Sequence, residues 1–346
     1  MRFCRGRAAR VSRVALAALA AALLTLAAPA AGLSPAPLGR WITAPGPGRA
    51  PAVRIWGGDT QSAEFLAYAP EFTGGVYIAG GEFDGEPGSE IVTGPDAGGG
   101  PHVRVFGING TPRFEFMAYA PSFTGGVRVA AGDVDGDGSQ EIIVGPGPGG
   151  GPHVRVLRTD GSPVVEFMAF DPKFTGGVFV AAGDFDFDGT SEIVVAAGAG
   201  GGPHVRIFRV TCNGGGCHAA ETASFYAYDP SFRGGVHVAV QTFQSGRHVV
   251  TGAGAGGAPH VRVFTAGGVP TGLQFLAFAP EFRGGVMVSV GAGGAGDILT
   301  GAGPGGGPHV RTFGSDGLSA AYGFYAYEPT FAGGVRVTVG GYPPPT

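Results

Sequence analysis

After Leu26 the sequence has no further long apolar run, and its first thirty residues contain no Asp or Glu. Arg2, Arg5, Arg7, Arg10 and Arg13 precede an Ala/Leu-rich stretch from Val14 to Leu26, and Ala28-Pro29-Ala30 offers a small-x-small cleavage pattern. Residues 1–30 therefore read as a secretory signal peptide and 31–40 as a linker. The apolar stretch is short for a bilayer span, so no membrane span is expected once it is removed. No cysteine beside the cleavage site could carry a lipid. The expected location is outside the cell or on its surface, or the periplasm of a two-membrane host.

Cysteine is scarce as well. Of three, Cys4 falls in the signal segment, leaving Cys212 and Cys217 in Thr211-Cys-Asn-Gly-Gly-Gly-Cys-His218. In an oxidising compartment, a pair flanking a Gly-rich tip is expected to close a hairpin as a disulfide. A zinc site needs four ligands, and only His218 stands near by. Basic charge is also lacking. Losing the five signal-segment arginines takes the formal charge from -4 to -9, which disfavours nucleic acid as a partner. A monomer is expected.

Helical periodicity is absent from the mature chain, and the 69 glycines recur at fixed phase among Val, Phe and Tyr instead of marking disorder. One motif occurs six times: Pro51-Ala-Val-Arg-Ile-Trp56, Pro101-His-Val-Arg-Val-Phe106, Pro152-His-Val-Arg-Val-Leu157, Pro203-His-Val-Arg-Ile-Phe208, Pro259-His-Val-Arg-Val-Phe264 and Pro308-His-Val-Arg-Thr-Phe313. The spacings are 50, 51, 51, 56 and 49 residues. Phe-x-Gly-Gly-Val keeps the same step, from Phe72, Phe123, Phe174, Phe232, Phe282 and Phe331.

Each unit reads as four short strands, A to D, separated by turn residues, and four strands per repeat of this length predict propeller blades. The chain ends sharpen the expectation. Trp41-Ile-Thr-Ala44 aligns with a strand B, and Val335-Arg-Val-Thr-Val339 with a strand A. Joining the last strand A (335–339) to the first strands B to D (41–69) would complete a blade and remove two open sheet edges. The expected fold is all-β, a six-bladed propeller of four-stranded blades spanning 41–346 as one domain.

Phe-x-Gly-Gly-Val, an Asp-rich loop, Glu-Ile-Val-x-Gly and a Gly-rich turn together resemble the FG-GAP, or VCBS, repeat family of integrin α-chain propellers and many secreted bacterial proteins. The resemblance implies calcium in some A-to-B loops and a role in adhesion or ligand binding. The last two A-to-B loops, Gln241 to Arg247 and Gly291 to Gly296, lack the acidic residues, so metal is not carried onto them.

Asp133, Asp135, Asp137 and Glu141 stand at loop positions 1, 3, 5 and 9, with the Ser139 carbonyl at position 7. Asp184, Asp186, Asp188, Thr190 and Glu192 repeat the arrangement. Alternate side chains on a curling backbone converge, and hard oxygen donors suit calcium, so two calcium sites are expected. The loop with Glu82, Asp84, Glu86 and Glu90 has longer side chains and Pro87 at its turn, which makes it a distorted third site. An EF-hand would need Glu at position 12 and flanking helices, which these loops lack.

The strand C Arg, present in all six units, is read as blade-to-blade packing against strand D carboxylates such as Glu64, Glu115 and Glu166 or against backbone carbonyls. Ser224, Gln274 and Gly323 leave the other three without an evident carboxylate. Gly145-Pro-Gly-Pro-Gly-Gly-Gly-Pro152 and its relatives lack the Lys-Ser/Thr ending of a phosphate loop and read as tight turns. There is no nucleophile elbow, no His-Glu-x-x-His and no triad that breaks the repeat. His218, His237 and His248 are the histidines outside the repeat. The expected function is an extracellular calcium-binding adhesion module, not an enzyme, with a protein or glycan ligand. A multivalent lectin-like propeller, or a lactonase- or phytase-like hydrolase with an axial site, are the alternatives.

Overall fold

The computed structural model describes residues 40–85, 89–243, 246–291, 297–318 and 322–340. The signal segment, most of the linker and Glu86 lie outside these residues. Arg40 begins a strand.

Six four-stranded antiparallel sheets make the blades. The innermost A strands are Val335–Gly340, Val76–Gly81, Val127–Gly132, Val178–Gly183, Val236–Phe243 and Val286–Val290 for blades 1 to 6. They touch one another in a closed cycle around the axis. Blade 1 takes its strand A from the C-terminal end and strands B, C and D from Arg40–Pro45, Ala52–Gly57 and Thr60–Leu66. The closing register pairs Trp41 with Val339, Thr43 with Val337 and Pro45 with Val335.

Burial explains the composition of each strand. The B strands of blades 2, 3 and 4 are buried at every position because a blade covers each face, and they consist of β-branched and small residues after their first Glu. The D strands alternate exposed and partly buried residues, as outer strands with one wet face should. Their inward aromatics reach the next blade: Phe65 meets Phe106 at 4.7 Å, Phe167 meets Phe208 at 4.6 Å and Phe225 meets Phe264 at 4.8 Å. At the closing seam Trp56 lies 4.6 Å from Phe324, and its indole N–H donates to the Thr43 hydroxyl.

Two polar contacts recur at the seams. Each strand C Arg donates to a carbonyl at the end of the preceding blade, Arg104 to Ala67 and Arg54 to Ala326 among them, both at 2.6 Å. Each Gly-rich B-to-C turn donates to the D-to-A loop of the next blade, as Gly149 does to Thr175 at 2.8 Å. Gly149 has φ 88°, a conformation open to Gly at no steric cost.

Candidate metal centres

The A-to-B loops stand at the opposite end of the A strands from the Gly-rich turns. Three of them gather carboxylates whose nearest oxygens all lie within 4.8 Å of one another: Glu82, Asp84 and Glu90; Asp133, Asp135 and Glu141; Asp184, Asp186 and Glu192. The closing Glu of each opens strand B and is buried, which fixes it at the base of its loop. It accepts from the backbone N–H at the second loop position: Glu90 from Phe83, Glu141 from Val134 and Glu192 from Phe185, at 2.9 to 3.0 Å.

The first Asp organises the turn. Asp133 accepts from Gly136 and Gly138, and Asp184 from Asp188 and Gly189. Phe187 stands where the preceding blade has Gly136, and its φ of 62° places a bulky residue in a left-handed conformation. Phe187 is 60 % exposed, and its ring centroid lies 5.0 Å from the Arg247 guanidinium.

Asp137 and Asp188 are not in the clusters. Both are exposed and accept from the backbone N–H two residues on, Ser139 at 2.8 Å and Thr190 at 2.9 Å. The third loop is brought together as closely as the other two, through Glu82, Asp84 and Glu90, whereas Glu86 lies outside the described residues. In blade 5 the acid-poor segment pairs through to Phe243 opposite Gly246, so strands A and B extend into a hairpin where blades 3 and 4 open a loop.

Crowding of carboxylates has an electrostatic consequence. Burial, reinforced by Asp135, Asp137 and Asp133, pushes the Glu141 carboxyl up to about 7. Burial raises Glu90 and Glu82 as well. Arginines supply part of the balancing charge. Arg158 reaches Asp135 at 3.0 Å, and Arg209 reaches Asp186, Asp188 and Glu192 at 2.5 to 3.1 Å. The donor set is all oxygen, which fits a hard divalent cation and not zinc.

Elsewhere, Arg54, Arg104 and Arg155 pair with Glu64, Glu115 and Glu166. Arg206, opposite Ser224, finds Glu221 instead, because a bulge after Ile207 shifts the strand register. Arg233 and Arg283 fold back onto carbonyls of their own loops. Cys212 and Cys217 face each other across the hairpin and form a disulfide. His248 is buried, with its ring nitrogen 2.9 Å from the Gly246 carbonyl.

Sequence reasoning missed Arg128, Arg336 and Tyr77, which face the axis beside His237. The available signal was variability: the residue after each Phe-x-Gly-Gly-Val is Tyr, Arg, Phe, His, Met or Arg, while its neighbours repeat.

Residues 133–195, which include two of the acidic loops, match the model of the FG-GAP-like repeat. A crystal structure of a protein of unknown function from Bacteroides caccae is similar at TM-score 0.55 and 12 % identity, over 87 % of this chain and 98 % of that one. Rhamnogalacturonan lyase YesW is similar at TM-score 0.42 and 10 % identity, over 80 % of this chain and 59 % of the lyase. The V. cholerae biofilm matrix protein Bap1 is similar at TM-score 0.37 and 17 % identity, over 66 % of this chain and 33 % of Bap1. No curated protein matches the chain. The chain is thus a β-propeller of six four-stranded blades, of which residues 133–195 match an FG-GAP-like repeat.

Proposed function

We propose that the chain is a secreted, calcium-binding interaction module whose rim contacts an extracellular protein or glycan. One observation carries this reading. The last residue of each strand D, Leu66, Met117, Met168, Tyr226, Leu276 or Tyr325, is 41 to 54 % exposed. Apolar residues exposed singly need no explanation, but here one position in every blade presents one to solvent. In five blades a strand C His lies directly opposite, as His102 does to Met117. The result is a ring of equivalent contact points suited to a repetitive or extended ligand, with avidity from several weak contacts.

Calcium supports the opposite face. Three acidic loops in consecutive blades offer oxygen donors alone, and a bound divalent ion would offset their repulsion. The Glu82 backbone N–H donates to the Gln140 side chain, and that of Ser191 to the Asp133 carbonyl, so the loops are joined in an arc.

The multivalent glycan reading gains from two rim positions. Tyr226 lies 4.8 Å from His204 and Tyr325 lies 4.9 Å from His309, giving flat exposed platforms of the kind that stack on sugar rings. No reaction is assigned.

The test is a screen of residues 31–346 against a glycan array and extracellular proteins, with calcium and with chelator, beside a Met117→Asp/Met168→Asp variant. Calcium-dependent binding weakened at least tenfold by the variant is expected. Binding indifferent to the rim variant, or no binding to any target, would overturn the reading.

A further inference from the structure

At the axis the six A strands line a partly open cavity of about 260 Å³. The second residue of each strand stands at it: Tyr77, Arg128, Phe179, His237, Met287 and Arg336. A purely structural need common to all blades would be met by one residue type, as the strand C Arg is. Here the ring is asymmetric, and it includes two arginines that are each only 5 % exposed.

Those two arginines differ in one respect. Arg336 forms a buried ion pair with Asp96, which stands in the B-to-C turn of the next blade. The other five turns have Gly at that position: Gly46, Gly147, Gly198, Gly254 and Gly303. Arg128 would find its equivalent partner at Gly198, and so has none. Among the described residues it makes no ion pair. Its Nη1 donates to the carbonyls of Pro146 at 3.0 Å and Val178 at 3.4 Å, and its buried Nε, like that of Arg336, has no hydrogen-bond partner.

The surroundings do not supply the missing charge. The Arg128 guanidinium lies 4.0 Å from the Phe179 ring centroid and 5.6 Å from that of Tyr77, contacts that stabilise a cation without neutralising it. His237 packs 4.2 Å from Phe179. Burial, followed by the charges of Arg128 and Arg336, pushes its imidazole down to about 3, so it is neutral and adds no positive charge. The ring therefore holds one buried positive charge without an anion, and such a charge is costly unless something pairs with it.

We propose that the axial cavity binds a small monocarboxylate, its carboxylate on Arg128 and its body among Tyr77, Phe179, His237 and Met287. One uncompensated charge selects a monoanion. The planar guanidinium favours a carboxylate, and the aromatic and thioether walls favour a compact apolar or aromatic body over a fully hydrated ion.

The experiment is isothermal titration calorimetry of residues 31–346, loaded with calcium, using benzoate, its uncharged analogue benzamide, and inorganic phosphate. Benzoate is expected to bind at one per chain, with benzamide and phosphate at least tenfold weaker. Arg128→Met should abolish benzoate binding and raise the melting temperature, because it replaces an unpaired buried charge by an apolar chain of similar length. The proposal fails if benzamide binds as tightly as benzoate, if phosphate binds more tightly, or if benzoate binding survives Arg128→Met. It also fails if benzoate does not bind the folded wild-type protein, a comparison that does not depend on the variant folding.

Discussion

Arg104 of blade 2 donates through Nη1 to the Ala67 carbonyl of blade 1 at 2.6 Å, while its Nε holds Glu115 of its own blade at 2.8 Å. One side chain thus ties a blade edge to its neighbour, and the same tie occurs at every seam through Arg54, Arg155, Arg206, Arg262 and Arg311. A charged hydrogen bond of this kind contributes about 1.5–3 kcal/mol. Arg104→Met should lower the unfolding free energy by about 2 kcal/mol in urea titrations while leaving calcium binding unchanged. A loss confined to a few tenths would show that the tie does not hold the seam.

Ring closure predicts cooperativity between distant ends of the chain. Trp41 pairs with Val339 and Ile42 with Thr338, so removing 335–346 strips blade 1 of its inner strand and uncovers the edge of its strand B. The truncated protein should lose cooperative thermal unfolding and aggregate on gel filtration. A truncated monomer with a sharp transition would mean that the five complete blades suffice.

His237 sets an acid limit. The unfolded chain takes up its proton near pH 6.5 and the folded chain only near 3, so below pH 6.5 the unfolded state binds the extra proton. Stability from this group is complete above pH 6.5 and is lost progressively down to about 3, by about 1.4 kcal/mol per pH unit inside that window. The groups facing it are Phe179, Arg128 and Arg336, and neither arginine titrates in this range. Urea titrations at pH 7, 6 and 5 should show wild type losing stability relative to His237→Leu as the pH falls, a difference that the opposite contribution of Glu141, common to both proteins, leaves unchanged; parallel pH profiles would contradict the assignment.

Arg209 competes with a cation for the third acidic loop in chain order. Its guanidinium touches Asp186, Asp188 and Glu192, so a divalent ion must displace it or bear its repulsion. Arg209→Ala should tighten calcium binding there severalfold, in keeping with about 1 kcal/mol for a partly exposed pair. Calorimetric titration reads this directly, and weaker binding in the variant would make Arg209 a support of the site instead of a rival.

Much of this fold was legible because two motifs keep one phase. Trp41 and Val339 could be assigned to a shared blade from alignment alone, since each end carries a recognisable fragment of the repeat. The acidic loops were legible through alternate carboxylates, whereas the backbone hydrogen bonds that Asp137 and Asp188 accept were not. Glu221 escaped because a bulge moves strand D relative to Arg206. Arg128 and Arg336 escaped for a different reason. Arg336 and Asp96 are 240 residues apart, and they meet only once the ring has closed.

The central proposal is that calcium occupies an arc of acidic loops in blades 2, 3 and 4 of the ring. Equilibrium dialysis of residues 31–346 against calcium, with parallel melts in calcium and chelator, tests it most directly. The account predicts three ions per chain, a midpoint that falls on chelation, and loss of one ion each in Glu90→Gln, Glu141→Gln and Glu192→Gln. A calcium-free protein with the same midpoint in chelator would contradict it.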